Sequence, residues 1–119
     1  MNRTFLPPPG KLCTQDDHDF DGYYYAEHIA HCEDDVTEDV KNVVMKNYGI
    51  ENTNTLHYDI VHYIPLALGG SNNINNLWPM KPAEASDRRT YEHDLYKQFR
   101  DGKITQLAAI NAIKRWHRV

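Results

Sequence analysis

The side chains able to do bond chemistry cluster between residues 57 and 94. His62 ends a β-rich run, HYDIVHYI, and a loop rich in glycine and asparagine, LGGSNNINN, follows it. A histidine titrates near neutral pH, so it can take a proton or hold a metal. Asn76 stands at the end of that loop. Asp59 lies two residues before Val61, so strand alternation puts the two on one face. The Asp-x-x-His spacing of Asp59 and His62 suits a divalent ion. Asp87, His93 and Asp94 follow on a helical stretch, and only one of Asp87 and Asp94 is expected to reach the site. Plainer roles stand beside these. His62 can be a strand residue bonded to the loop, Asn76 can be turn chemistry, and Gly69 and Gly70 suit backbone geometry.

Charge is divided along the chain. Residues 15 to 40 hold ten acidic side chains and no Lys or Arg. Residues 81 to 119 hold nine basic side chains against five acidic ones. The acidic half repels phosphate and the basic half attracts it. Asp16, Asp17, Asp19, Asp21, Glu33, Asp34 and Asp35 therefore form a candidate protein-binding face, with Tyr23, Tyr24 and Tyr25 as anchors or as an edge strand. The helix end KRWHRV can touch phosphate, although a helix C-terminus favours cations anyway. Cys13 and Cys32 are expected as free thiols in a reducing cytosol, with a disulfide pinning the N-terminal arm as the rival. They lack C-x-x-C spacing, and His18, His28 and His31 are irregularly placed around them, which argues against zinc.

The elements that must position these groups follow from pattern. FLPPPG reads as an extended arm. Thr37 predicts a helix N-cap, with Glu38 and Asp39 in the first turn, Val40, Val43, Val44 and Tyr48 as its apolar stripe, and Gly49 at its end. TLHYDIVHYI reads as a strand. A second short strand falls at Leu77 and Trp78. Pro82 opens a helix to about Arg100, with Ala85, Tyr91, Leu95 and Phe99 inward, stopping at Gly102. Thr105 caps a last helix with Leu107, Ile110, Ile113 and Trp116 on one side. The 119 residues make one domain. It comprises an acidic arm and loop (1–35), a helix (36–49), a β-β-α core (56–100) and a C-terminal helix (104–119). No apolar run approaches a membrane span, and MNRTFLPPPGKLC lacks the apolar core of a signal peptide, so a cytoplasmic protein is expected.

HYDIVHYIPLALGGSNNINNLWP resembles the core of HNH endonucleases of the ββα-metal fold, in the branch reading roughly Asp-His-x-Ile-Pro-Leu-x-Leu-Gly-Gly-Ser-Asn, then Asn-Leu-Trp-Pro. The stretches DFDGYYYAEHIAHC, KNYGI and GKITQLAAINAI are similar to small bacterial proteins of that branch. The resemblance implies an α+β fold with a ββα-metal core. It implies one divalent metal, Mg or Mn, with His62 as general base and Asn76 as the asparagine that orients the histidine or its loop. The metal ligands fall just before the histidine and on the following helix.

Those two positions carry Val61 and Thr90. Valine offers no donor atom, and a neutral hydroxyl is a poor ligand. Glu33, Asp34 and Asp35 stand where the branch carries a basic residue after the second cysteine. The expectation is therefore a degenerate HNH protein that binds no metal and does not cut. It would act as an inhibitor or decoy of a nucleic-acid-targeting complex, of anti-CRISPR or anti-defence type. Its partner is a protein with a basic nucleic-acid-binding surface. Two alternatives stand. One is an active Mg- or Mn-dependent endonuclease with Asp59, Asp87, His93 or Asp94 as relocated ligands. The other is a non-catalytic DNA binder.

Overall fold

Helices in this chain begin where a side chain can satisfy their first free N–H groups. The computed structural model describes residues 5–25, 27–51 and 57–116. Its elements are β1 (Phe20–Tyr24), β2 (Ile29–Cys32), α1 (Glu38–Asn47), β3 (Asp59–His62), β4 (Leu77–Met80), α2 (Pro82–Arg100) and α3 (Gln106–Arg115). Thr37 caps α1 by accepting from Val40 N at 3.2 Å, and Thr105 caps α3 by accepting from Ala108 N at 3.1 Å. Pro82 sits in the first turn of α2, where no N–H is needed. Thr55 and Leu56 of the expected strand, and residues 117 to 119 of the expected last helix, lie outside the described residues.

The fold is α+β, with two antiparallel hairpins and three helices. β1 pairs with β2, and β3 pairs with β4 with Val61 opposite Trp78 and His62 opposite Leu77. The core lies where the β3–β4 hairpin meets α2 and α3. Tyr63, Leu68, Trp78, Met80, Leu95, Phe99, Ile110 and Ile113 fill it. Two expected stripes each depart from their predicted burial at one position. Val43 is 47% exposed, and Met45 is buried instead. Leu107 is 68% exposed, and Ala109 packs inward.

Cys13 and Cys32 form a disulfide, so the expectation of free thiols is overturned. The arm brings the two together. Cys13 N donates to Gly69 O at 2.9 Å, Leu12 bridges Gly70, and Ser71 N donates to Lys11 O at 3.0 Å. The arm is thus laced along the loop rather than extended into solvent. Among the described residues no helix is long and apolar enough to cross a membrane.

The loop between β3 and β4 is held by one side chain. Asn76 is fully buried. Its Oδ1 accepts from Ile64 N at 2.9 Å and from Lys11 N at 3.4 Å, while its Nδ2 donates to Ile64 O at 3.0 Å and Ser71 O at 2.8 Å. Gly70 is required beside it, because a Cβ there would fall 1.7 Å from Ile64 O. Replacing Asn76 by Ala strands these buried backbone groups at about 1–3 kcal/mol each. Urea unfolding of Asn76→Ala, followed by circular dichroism, is expected to show a loss of about 3 kcal/mol or more.

Candidate functional site

His62 stands half-buried at the end of β3, and its partner is Asn72 rather than Asn76. His62 Nε2 lies 2.9 Å from Asn72 Oδ1. Asn72 Nδ2 lies 2.6 Å from both Asp19 Oδ2 and the Glu33 carbonyl. Both of those groups only accept, so the amide orientation is determined by its surroundings. Asn72 Oδ1 must then accept, from Asp35 N at 3.2 Å and from His62. The neutral His62 ring therefore carries its proton on Nε2 and leaves Nδ1 as a free base. Asn72 was not singled out from sequence, because GGSNN reads as generic turn residues until β1 and β2 are folded against it.

A cleft of about 420 Å³ opens beside His62. Val61 and Pro65 line it from β3 and its loop, and Arg89 and Glu92 line it from α2. Lys41 and Asp34 complete the opposite side. Thr90 does not line it. Thr90 is exposed, with its hydroxyl 3.5 Å from Ser86 O on its own helix. Asp87, His93 and Asp94 are also exposed and line no part of this cleft. Asp59 lines an adjoining cleft of about 530 Å³, which shares Lys41, Val61 and Arg89 with the first.

Arg88 sets the face that α2 turns to the cleft. It is fully buried, on the inward stripe with Ala85, Leu95 and Phe99. One Nη donates to Tyr63 O, and Nε lies 3.2 Å from Glu92 Oε2. Burial lowers the Arg88 pKa and raises that of Glu92, so desolvation outweighs the attraction for both partners. An arginine in the core stripe turns Arg89 and Glu92 toward the cleft and Thr90 toward solvent.

The cleft beside His62 offers two carboxylates, Asp34 and Glu92, and two protein cations, Lys41 and Arg89. Metal sites gather oxygen, nitrogen or sulfur ligands around one point. Val61 supplies none. Among the described residues, the close groups of three possible ligands are Cys13–Asp17–Cys32 and His18–Asp19–Asp35.

The acidic segment is partly consumed inside the protein. Asp17 Oδ2 accepts from Thr14 N at 2.8 Å. Asp19 braces Asn72. Asp21 lies 2.7 Å from His31 Nδ1, and Asp35 lies 2.6 Å from His18 Nε2. Asp34 accepts from Val36 N at 3.3 Å. Asp16 and Glu33 keep exposed side chains. Tyr23 and Tyr24 are 44% and 38% exposed, with Tyr23 stacked on His28 at 4.3 Å. Tyr25 is different. It packs on Phe99 with ring centroids 5.0 Å apart, and burial and Tyr96 push its pKa up to about 12. It ties the hairpin to α2 while staying partly exposed.

Two measurements check this geometry. Long-range proton–nitrogen spectra are expected to show His62 protonated at Nε2 at neutral pH, and Asn72→Ala is expected to mix the tautomers. His18 titrates above its ordinary 6.5, chiefly through the Asp35 hydrogen bond and then the Asp19 charge. The contact is thus fully present below pH 6.5 and fades as pH rises through the raised value. The His18 ring proton is expected to titrate with a midpoint above 6.5, and Asp35→Asn is expected to move that midpoint down.

No protein-family model, curated protein or solved structure matches this chain.

Proposed function

We propose that this chain is a ββα-metal scaffold of HNH type that does not cut, and that it acts by binding a protein through its β1–β2 hairpin. One observation carries the reading. Val61 stands just before His62, where the HNH resemblance puts a metal ligand, and the cleft carries the cations Lys41 and Arg89 beside the carboxylates Asp34 and Glu92. A guanidinium repels a divalent cation, and valine cannot replace the lost ligand. The exposed acids Asp16, Glu33 and Asp34, with Tyr23 and Tyr24 beside them, suit a partner whose basic surface otherwise holds nucleic acid. An inhibitor or decoy of a nucleic-acid-targeting defence complex is the function class that joins these two features.

A second reading rests on His62 itself. Its ring is oriented with Nδ1 free, as a general base needs. An active Mg- or Mn-dependent endonuclease would use it so.

One experiment separates the readings. The purified chain is titrated with Mg²⁺ and Mn²⁺ by calorimetry, and supercoiled plasmid nicking is run on the same samples. No saturable heat and no nicking are expected. Metal-dependent nicking that disappears in His62→Ala would overturn the proposal in favour of the nuclease. The partner claim is read separately, in cells that restrict a phage with an RNA-guided nuclease. Expression of the chain is expected to restore plaques. Glu33→Lys with Asp34→Lys is expected to cut that rescue at least about tenfold, the effect of roughly 1.4 kcal/mol of binding. Failure of the wild-type chain to rescue, or full rescue by the charge-reversed chain, would count against the acidic face.

A further inference from the structure

The disulfide has a carboxylate beside it that the bridge itself does not use. The Sγ atoms of Cys13 and Cys32 and a carboxylate oxygen of Asp17 all lie within 4.8 Å of one another. Asp17 Oδ2 stands 3.9 Å from Cys32 Sγ. Cys32 is fully buried, Cys13 nearly so, and Asp17 is half-buried. We propose that this cluster is a redox-gated metal site, in which the reduced Cys13 and Cys32 thiolates and Asp17 together hold a zinc-class ion.

Distances support the donor set. With Zn–S near 2.3 Å and Zn–O near 2.0 Å, tetrahedral angles put sulfur and oxygen about 3.5 Å apart and two sulfurs about 3.8 Å apart. The carboxylate is already close to that separation. Opening the bridge requires only that the two sulfurs move apart by side-chain rotation. The fourth position is left to water, since the cluster supplies three donors. Two sulfur donors favour zinc or cadmium over magnesium and calcium.

The three residues are positioned without the S–S bond. Cys13 N donates to Gly69 O at 2.9 Å, and Cys32 pairs with Phe20 in the hairpin. Asp17 is fixed from two sides. Its carboxylate accepts from Thr14 N, and its own N–H donates to Thr14 O at 3.0 Å. Reduction thus leaves the donors on a backbone that already presents them, which lowers the ordering cost of binding.

The chemistry balances with a thiol or phosphine reductant. Two electrons enter the S–S bond, two protons complete the thiols, and the reductant leaves as its own disulfide or oxide. The metal then displaces both protons to solvent and binds the thiolates. The same two residues join the arm to β2 in either state. Glu33, next to Cys32, therefore keeps its carbonyl on Asn72 whether the surroundings oxidise or reduce.

The test uses the full chain, reduced with tris(carboxyethyl)phosphine under argon and titrated with Co²⁺. One equivalent is expected to produce thiolate-to-cobalt charge-transfer absorption and the d–d bands of a tetrahedral ion, both bleached by Zn²⁺. The oxidised chain is expected to show neither. Asp17→Asn is expected to weaken binding at least about tenfold, the lower end even for groups outside the ligand shell. Absent thiolate bands in the reduced chain would overturn the site, and bands indifferent to Asp17→Asn would remove the carboxylate from it. The reduced wild-type chain, which needs no substitution at the buried Cys32, carries a second readout. Near-ultraviolet circular dichroism lost on reduction and not regained with zinc would also overturn the proposal.

Discussion

The buried amide of Asn76 is the constraint on which the site depends. A loop joining two four-residue strands cannot form a regular ladder, so its backbone groups need partners elsewhere. Asn76 supplies them from one point, accepting from Ile64 N and Lys11 N and donating to Ile64 O and Ser71 O. Because those groups come from the arm, the start of the loop and its middle, one side chain sets the relative positions of three segments. The close approach leaves no room for a Cβ at Gly70. Asn72 and His62 then meet because the loop can close in only one way.

A second layer of restraint comes from the hairpin. Asp19 from the chain before β1 and Glu33 after β2 both hold the Asn72 amide, and Asn72 holds the His62 ring. The acidic segment thus has two roles that sequence composition merges. Some carboxylates are structural acceptors, and others are exposed charge. The disulfide stabilises this layer by joining Cys13, on the arm side of the loop, to Cys32, directly before Glu33. A buried ion pair, Arg88 with Glu92, sets the face that α2 presents, although burial opposes the charge on both partners.

Much of the secondary structure was legible in the chain because it is decided by neighbours in sequence. Thr37 and Thr105 cap their helices, Pro82 opens α2, and Gly49 and Gly102 follow helix ends with positive φ. The β-β-α order was legible too, since turn residues flank two short β-prone runs, whereas a loop-fixing role for Asn76 was expected only from the resemblance to the HNH core. Burial was less legible. Val43 and Leu107 fit an apolar stripe by periodicity, yet both are exposed. Arg88 was missed for the opposite reason. A charged residue reads as surface, and only the Tyr63 carbonyl and Glu92 make its burial tolerable.

Sequence by itself therefore determined the class of fold, the caps, the loop and the identity of Val61 before His62. These depend on local backbone preference and on which atoms a side chain owns. Tertiary structure alone decided that Asn72 is the partner of His62, that Arg89 and not Thr90 lines the cleft, that Tyr25 packs on Phe99, and that Cys13 meets Cys32 beside Asp17. Each of those facts joins residues from separate elements. They arise from packing two hairpins against two helices, and no spacing along the chain encodes the angle at which those elements meet.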